Sequence, residues 1–206
     1  MTTSQISYPW SEISGWKSEE FERGGVRWIR YIGDGGTEIN IGDGATVADD
    51  AHIGDGATVA DDATIGGGAT IGGGATIGDD ATIGDDAHIG GGATIGDDAH
   101  IGDDVTIGDD AQIGDDSYIG GDAHIGDGAY IGGRSHIGSR THIGIGAVIG
   151  SRTHIGSCVH IGDGAYIGDG ATIGHVAYIG SRARIDGGTS IGGRAYIGEG
   201  ATIDHD

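Results

Sequence analysis

Residues 75–98 read Ala-Thr-Ile-Gly-Asp-Asp, Ala-Thr-Ile-Gly-Asp-Asp, Ala-His-Ile-Gly-Gly-Gly, Ala-Thr-Ile-Gly-Asp-Asp. The six-residue step continues in both directions without an insertion. From Ile41 to Ile203 every sixth residue is aliphatic, and all but Val47 and Val59 are Ile. A fixed short period marks a repeat architecture, in which each unit buries its apolar face only by stacking on its neighbours. Within a unit, Ala-Thr-Ile alternates inward and outward as a strand does. Gly-Asp-Asp or Gly-Asp-Gly then supplies turn residues that tolerate positive φ. Each hexad is therefore one short strand plus one corner, and three hexads close a triangular coil. The expected fold is all-β: a solenoid of about nine coils over residues 39–206, preceded by an aromatic cap or docking segment over residues 1–38.

Stacking turns positions eighteen apart into outward columns. One runs Thr58, Thr76, Thr94, Gln112, Tyr130, Val148, Tyr166, Arg184, Thr202. A second runs Thr46, Thr64, Thr82, His100, Tyr118, His136, His154, Thr172, Ser190. The third runs His52, Thr70, His88, Thr106, His124, His142, His160, Tyr178, Tyr196. Thr dominates the first half of the solenoid, and Tyr, His and Arg the second. All three Trp and the single Phe lie in the first 28 residues, where aromatic bulk would cover the open end of the solenoid.

Charge is as uneven as the columns. Of the net −22, residues 41–116 contribute eighteen Asp and not one Lys or Arg. Collagen is excluded by the missing Gly-X-Y period and the single Pro. No apolar run is long enough to span a membrane, and residues 1–5 carry no secretory h-region, so a cytoplasmic protein without membrane contact is expected. Cys158 is the only cysteine, which forbids an internal disulfide.

The hexad, [Ile/Val]-Gly-x-x-[Ala/Ser/Thr/Val]-x, resembles that of the hexapeptide-repeat proteins. The resemblance implies a left-handed parallel β-helix, a homotrimer, and acyl transfer from acyl-CoA with a catalytic His. The candidates for that base are His136, His142 and His154. It also implies a loop interrupting the coils to wall the acceptor pocket, and residues 41–206 have no such loop.

The residues themselves allow several readings. Asp61/Asp62, Asp79/Asp80, Asp97/Asp98 and Asp115/Asp116 occupy one corner in four successive coils. They read as a solvated face, as a calcium ladder centred on Asp79, Asp80, Asp97 and Asp98, or as a nucleic-acid mimic. Tyr118, Arg134, His136, Arg140, His142, Arg152 and His154 form a candidate patch for a nucleotide-like anion. Tyr130, Ile145, Val148 and Tyr166 form a candidate self-association face. The His124, His142, His160 column points its rings in parallel, so zinc would need ligands from a second subunit. The leading expectation is a non-enzymatic acidic binding protein that needs no cofactor. Its partner would be a basic or nucleic-acid-binding protein, and direct nucleic-acid binding is not expected at this charge. Acyl transfer is the alternative, and a calcium-binding structural solenoid a further one.

Overall fold

A computed structural model describes residues 7–23, 26–33 and 36–205. Parts of the 1–38 segment, and Asp206, lie outside the described residues. Beyond residue 42 the chain is a parallel β-solenoid: every hexad contributes a strand of two or three residues and a two-residue turn. Three sheets of ten, twelve and nine strands form its faces, and each solenoid strand pairs with the strand three hexads away. The pairing register matches the columns expected from the sequence. Thr76 lies beside Thr94, His100 beside Tyr118, and His142 beside His160.

The core is two residue types deep. The Ile anchors from Ile53 to Ile185 are at most 2 % exposed, and Ala occupies most of the second inward position. Successive coils are joined by N–H groups donating to carbonyls seventeen residues on, as Thr94 N–H does to Ala111 O at 2.9 Å and Gly96 N–H to Ile113 O at 2.8 Å. The corners impose the tightest condition. A Cβ on Gly144 would fall on the backbone of Gly162 and Asp163 in the next coil, so a side chain at this position has no room. Two residues later the backbone enters the left-handed region, where Gly146 has φ 61° and Val176 in an equivalent turn has φ 62°. A β-branched residue is strained there.

The N-terminal segment closes the solenoid with antiparallel pairings. Strand β1 (Ser7–Pro9) pairs with the solenoid strand His52–Gly54, and the short helix α1 (Trp10–Ile13) follows it. Trp10 N–H donates to Ala51 O at 2.7 Å, and Ile13 is fully buried. Strands β2 (Lys17–Arg23) and β3 (Val26–Ile32) form a hairpin, and β3 pairs with β4 (Glu38–Gly42), the first strand parallel to the coils. Trp10, Trp16 and Tyr31 pack against the core. Trp10 meets the edge of Tyr31 at 5.3 Å. Of the four large aromatics of this segment, Trp10 and Trp16 lie against the core. Phe21 and Trp28 pair across the hairpin and line a cavity on the outer face instead. The outermost strand, Lys-Ser-Glu-Glu-Phe-Glu-Arg, carries charges that discourage further edge pairing. Among the described residues no helix is long and apolar enough to cross a membrane.

Two substitutions with opposite signs test this packing. Gly144→Ala should lower stability by about 3 kcal/mol or more, because two coils must separate. Val176→Gly should raise it by about 1 kcal/mol by relieving left-handed strain. Urea unfolding monitored by circular dichroism reads both.

Candidate functional site

The strand spacing of the solenoid sets the geometry of its outer side chains. Identical rotamers repeated every coil place neighbouring rings face to face at the inter-strand distance. On one face His100, Tyr118, His136 and His154 form a ladder with centroid separations of 5.1, 4.8 and 4.9 Å and interplanar angles no larger than 15°. On the next face His124, His142, His160, Tyr178 and Tyr196 stack at 4.9–5.0 Å. Ring faces are covered by their neighbours, and ring edges with their N–H and O–H groups meet solvent. On the third face Tyr130, Val148 and Tyr166 are consecutive, and the Arg184 guanidinium lies 4.6 Å over Tyr166. Ile145, at the corner beside that column, is 58 % exposed.

Burial lowers the pKa of His136, and His154 adds to the effect. Burial also lowers that of His142, reinforced by His124 and His160 and opposed by Asp163. Both shifts favour the neutral imidazole, the form that can accept a proton. Beneath the first ladder lies a chain of buried hydroxyls that composition alone conceals. Ser117 Oγ donates to Gly132 O at 3.2 Å, Ser135 Oγ to Gly150 O at 3.0 Å, and Thr153 Oγ1 to Gly150 O at 2.6 Å. These residues directly precede Tyr118, His136 and His154. They replace Ala at the second inward position, and that replacement is the signal that could have located them. Their hydrogen bonds tie the ladder backbone to the neighbouring corner.

The expected anion patch is divided by the prism. Arg134 and Arg152 sit one above the other in a corner groove of about 200 Å³ with Asp115, Asp116 and Ser151. Tyr118, His136 and His154 occupy the face that follows this corner. Arg140 lies at the far edge of that face, and His142 on the next one. Arg134 is also partly compensated, its Nε lying 3.3 Å from Asp116 Oδ2.

The aspartate corner has an internal cause. The first carboxylate of each pair turns back along the solenoid and accepts a backbone N–H from the preceding coil. Asp43 N–H donates to Asp61 Oδ1 at 3.0 Å, Asp61 to Asp79 at 3.3 Å, Asp79 to Asp97 at 3.0 Å and Asp97 to Asp115 at 3.2 Å. The second member, Asp62, Asp80, Asp98 or Asp116, has φ between 54° and 58°, a conformation Asp tolerates better than most residues. Asp79, Asp80, Asp97 and Asp98 therefore do not converge into the oxygen cage that calcium takes. Among the described residues no group of three or more His, Cys, Asp or Glu side chains is arranged to hold a metal ion.

Burial pushes the Asp61 carboxyl up; the Asp43 N–H pulls it down, and the charges of Asp79, Asp43 and Asp62 push it up again.

Comparison with known proteins agrees with the solenoid. The family model for bacterial transferase hexapeptide (six repeats) matches residues 74–107, 104–139 and 140–175, and that for the hexapeptide repeat of succinyl-transferase matches residues 56–84. The chain belongs to the hexapeptide-repeat superfamily of left-handed parallel β-helices. No curated protein sequence matches it. Among solved structures it is similar to the acetyltransferase domain of PglB from Neisseria gonorrhoeae FA1090, at 30% identity over 50% of this chain and 53% of that one, with a TM-score of 0.47. It is also similar to LpxA from Acinetobacter baumannii, at 21% identity over 81% and 71% of the two chains, TM-score 0.47. A UDP-N-acetylglucosamine acyltransferase from Campylobacter jejuni matches at 23% identity over 73% and 66%, TM-score 0.38. The chain thus spans about half the length of the first of these and about two-thirds of the last.

The depressed histidines make a signed prediction. A folded-state pKa below the ordinary 6.5 adds stability that is complete above 6.5 and is lost as pH falls through the lowered values. The unfolding midpoint should therefore fall on acidification below 6.5, and His136→Gln with His142→Gln should flatten that fall. NMR titration should place both imidazoles below 6.5; midpoints at or above it would contradict the burial argument.

Asp61 has the opposite sign, since its raised pKa adds stability only while it is protonated, and this is lost as pH rises from 3.8 through the raised value. Asp61→Asn keeps an oxygen for the Asp43 N–H and removes the charge. It should raise the thermal midpoint at neutral pH, with the gain vanishing below pH 3.8.

Proposed function

We propose that the chain is an acyltransferase that works as a homotrimer and moves an acyl group from acyl-CoA to a hydroxyl or amine acceptor. The observation that carries this reading is an overlap. The stretch matched by the transferase repeat families, residues 56–175, contains His136 and His142, two imidazoles whose pKa burial and neighbouring histidines lower. A neutral imidazole within reach of an acceptor removes its proton as the acceptor attacks the thioester carbonyl. The C–S bond then breaks and the proton passes to the CoA sulfur. His154, stacked on His136, is a third candidate on the same ladder.

Arg134 and Arg152 in their corner groove suit the phosphates of a CoA-like donor. A lone prism leaves its ladders open to water, and a second subunit laid against a face would supply the missing wall. The surface of exposed Tyr130, Ile145 and Tyr166 with half-buried Val148 between them is the face we assign to that contact.

The competing reading, an acidic surface that imitates nucleic acid or docks a basic partner, rests on charge density alone. The Asp pairs have a sufficient cause in the corners, where they accept N–H groups and occupy the left-handed position.

The test combines mass with turnover. Light scattering should give three copies of the 20.5 kDa chain, and Tyr130→Glu with Tyr166→Glu should reduce it to one. Acetyl- or succinyl-CoA with a panel of sugar, hydroxyl and amine acceptors should give acylated product by mass spectrometry. His136→Ala or His142→Ala should lower kcat/KM by about 10²–10⁴. Product formation unaffected by either His variant, or no product with any acceptor, would defeat the proposal.

A further inference from the structure

The antiparallel N-terminal strands continue the Tyr130-bearing sheet past its first parallel strand, and their outward side chains build a small cavity. Arg30 lies opposite Asn40, and Asn40 opposite Thr58. Trp28 lies opposite Phe21 on one side and Gly42 on the other. Phe21, Trp28, Arg30, Asn40 and Thr58 line a cavity of about 160 Å³.

Its polar groups are unbalanced. Trp28 Nε1–H is buried and has no acceptor among the described residues. Asn40 Oδ1 is taken by Arg30 Nε at 3.3 Å, which leaves the amide N–H groups of Asn40. The Arg30 guanidinium sits 4.9 Å over the Phe21 ring. Its Nε is also 3.7 Å from Glu38 Oε2, with further N–H groups uncommitted to that contact. Thr58 adds a hydroxyl. The lining therefore offers mostly donors, between two aromatic rings. A buried donor without a partner costs stability, and an acceptor brought by a ligand would remove that cost.

We infer that this cavity binds a small planar carboxylate, a single unsaturated ring or short conjugated chain bearing one carboxyl group. The carboxylate accepts from Trp28 Nε1–H, Arg30 and Thr58, and the planar body lies against Phe21 and Trp28. The volume is well below the roughly 300–1,000 Å³ of sites for drug-sized ligands, which sets the upper size limit. The cavity is separate from the His ladders, so this site stands or falls independently of acyl transfer.

Benzoate is the probe, used with the full chain at about 0.15 M salt so that the net negative charge is screened beyond roughly 8 Å. The readout is the Trp28 indole N–H signal in a ¹H–¹⁵N spectrum, assigned by its loss in Trp28→Phe. Benzoate should shift that signal saturably with a Kd of about 1 mM or tighter. The neutral isostere benzamide should bind at least about tenfold more weakly, as should benzoate to Arg30→Gln, given the greater strength of charge-assisted bonds. Thr58→Val, a change at a solenoid position with little effect on the hairpin, should weaken benzoate several-fold. A linear, unsaturated shift with benzoate overturns the site. Equal affinity for benzamide overturns the carboxylate assignment.

Discussion

The backbone hydrogen bonds between successive coils are the interaction on which everything else depends. Each coil donates N–H groups to carbonyls of the next from every strand and receives others at every corner. These bonds set a coil rise of one strand spacing, about 4.8 Å. At that rise a Cβ on the residue after most of the Ile anchors would fall on the backbone of the next coil, as at Gly138 and Gly144. Gly therefore prevails at this position, although Ala60 and Asp186 occupy it and keep the bond to the next coil.

The same rise organises the surface. Outer side chains have no freedom to choose their neighbours, because each lies directly over the residue eighteen positions earlier. Rings stack into ladders since their spacing is the strand spacing, and carboxylates stack into columns for the same reason. The molecule limits the resulting repulsion in two ways. In the Asp-rich half, one carboxylate of each pair is turned onto a backbone N–H. At the end of that run the same corner changes to Arg, and Arg134 meets Asp116. In the ring-bearing half, neighbouring imidazoles oppose one another's protonation. Together with burial this lowers the pKa of His136 and His142, and that property links the fold to the chemistry proposed for it.

The solenoid and its columns were legible because a period of six with no insertion leaves a single register. Thr76 beside Thr94 and His136 beside His154 follow from counting alone. The site was less legible. Tyr118, Arg134, His136, Arg140, His142, Arg152 and His154 are near one another in sequence, yet a triangular cross-section sends His142 to a different face from His136. The Asp pairs were readable as turn residues but not as acceptors for the preceding coil, since the orientation of Oδ1 depends on a neighbour eighteen residues away. The buried Ser117 and Ser135 bonds were hidden for the same reason: a hydroxyl in an Ala position shows its partner only when the corner of the next coil is in place.

What the sequence determined by itself is the parallel β-helix, its register and the division into an Asp and Thr half and a Tyr, His and Arg half. Strict periodicity suffices for these, because each is a statement about residues related by a fixed translation. The tertiary structure alone decided what happens where the translation stops. The antiparallel pairing of β1 and the turn of α1 carry Trp10 and Trp16 over the core, whereas the antiparallel register of β2, β3 and β4 turns Phe21 and Trp28 outward. A hairpin's pairing depends on its turn and on the edge it meets, neither of which repeats, so no period in the chain could have announced it.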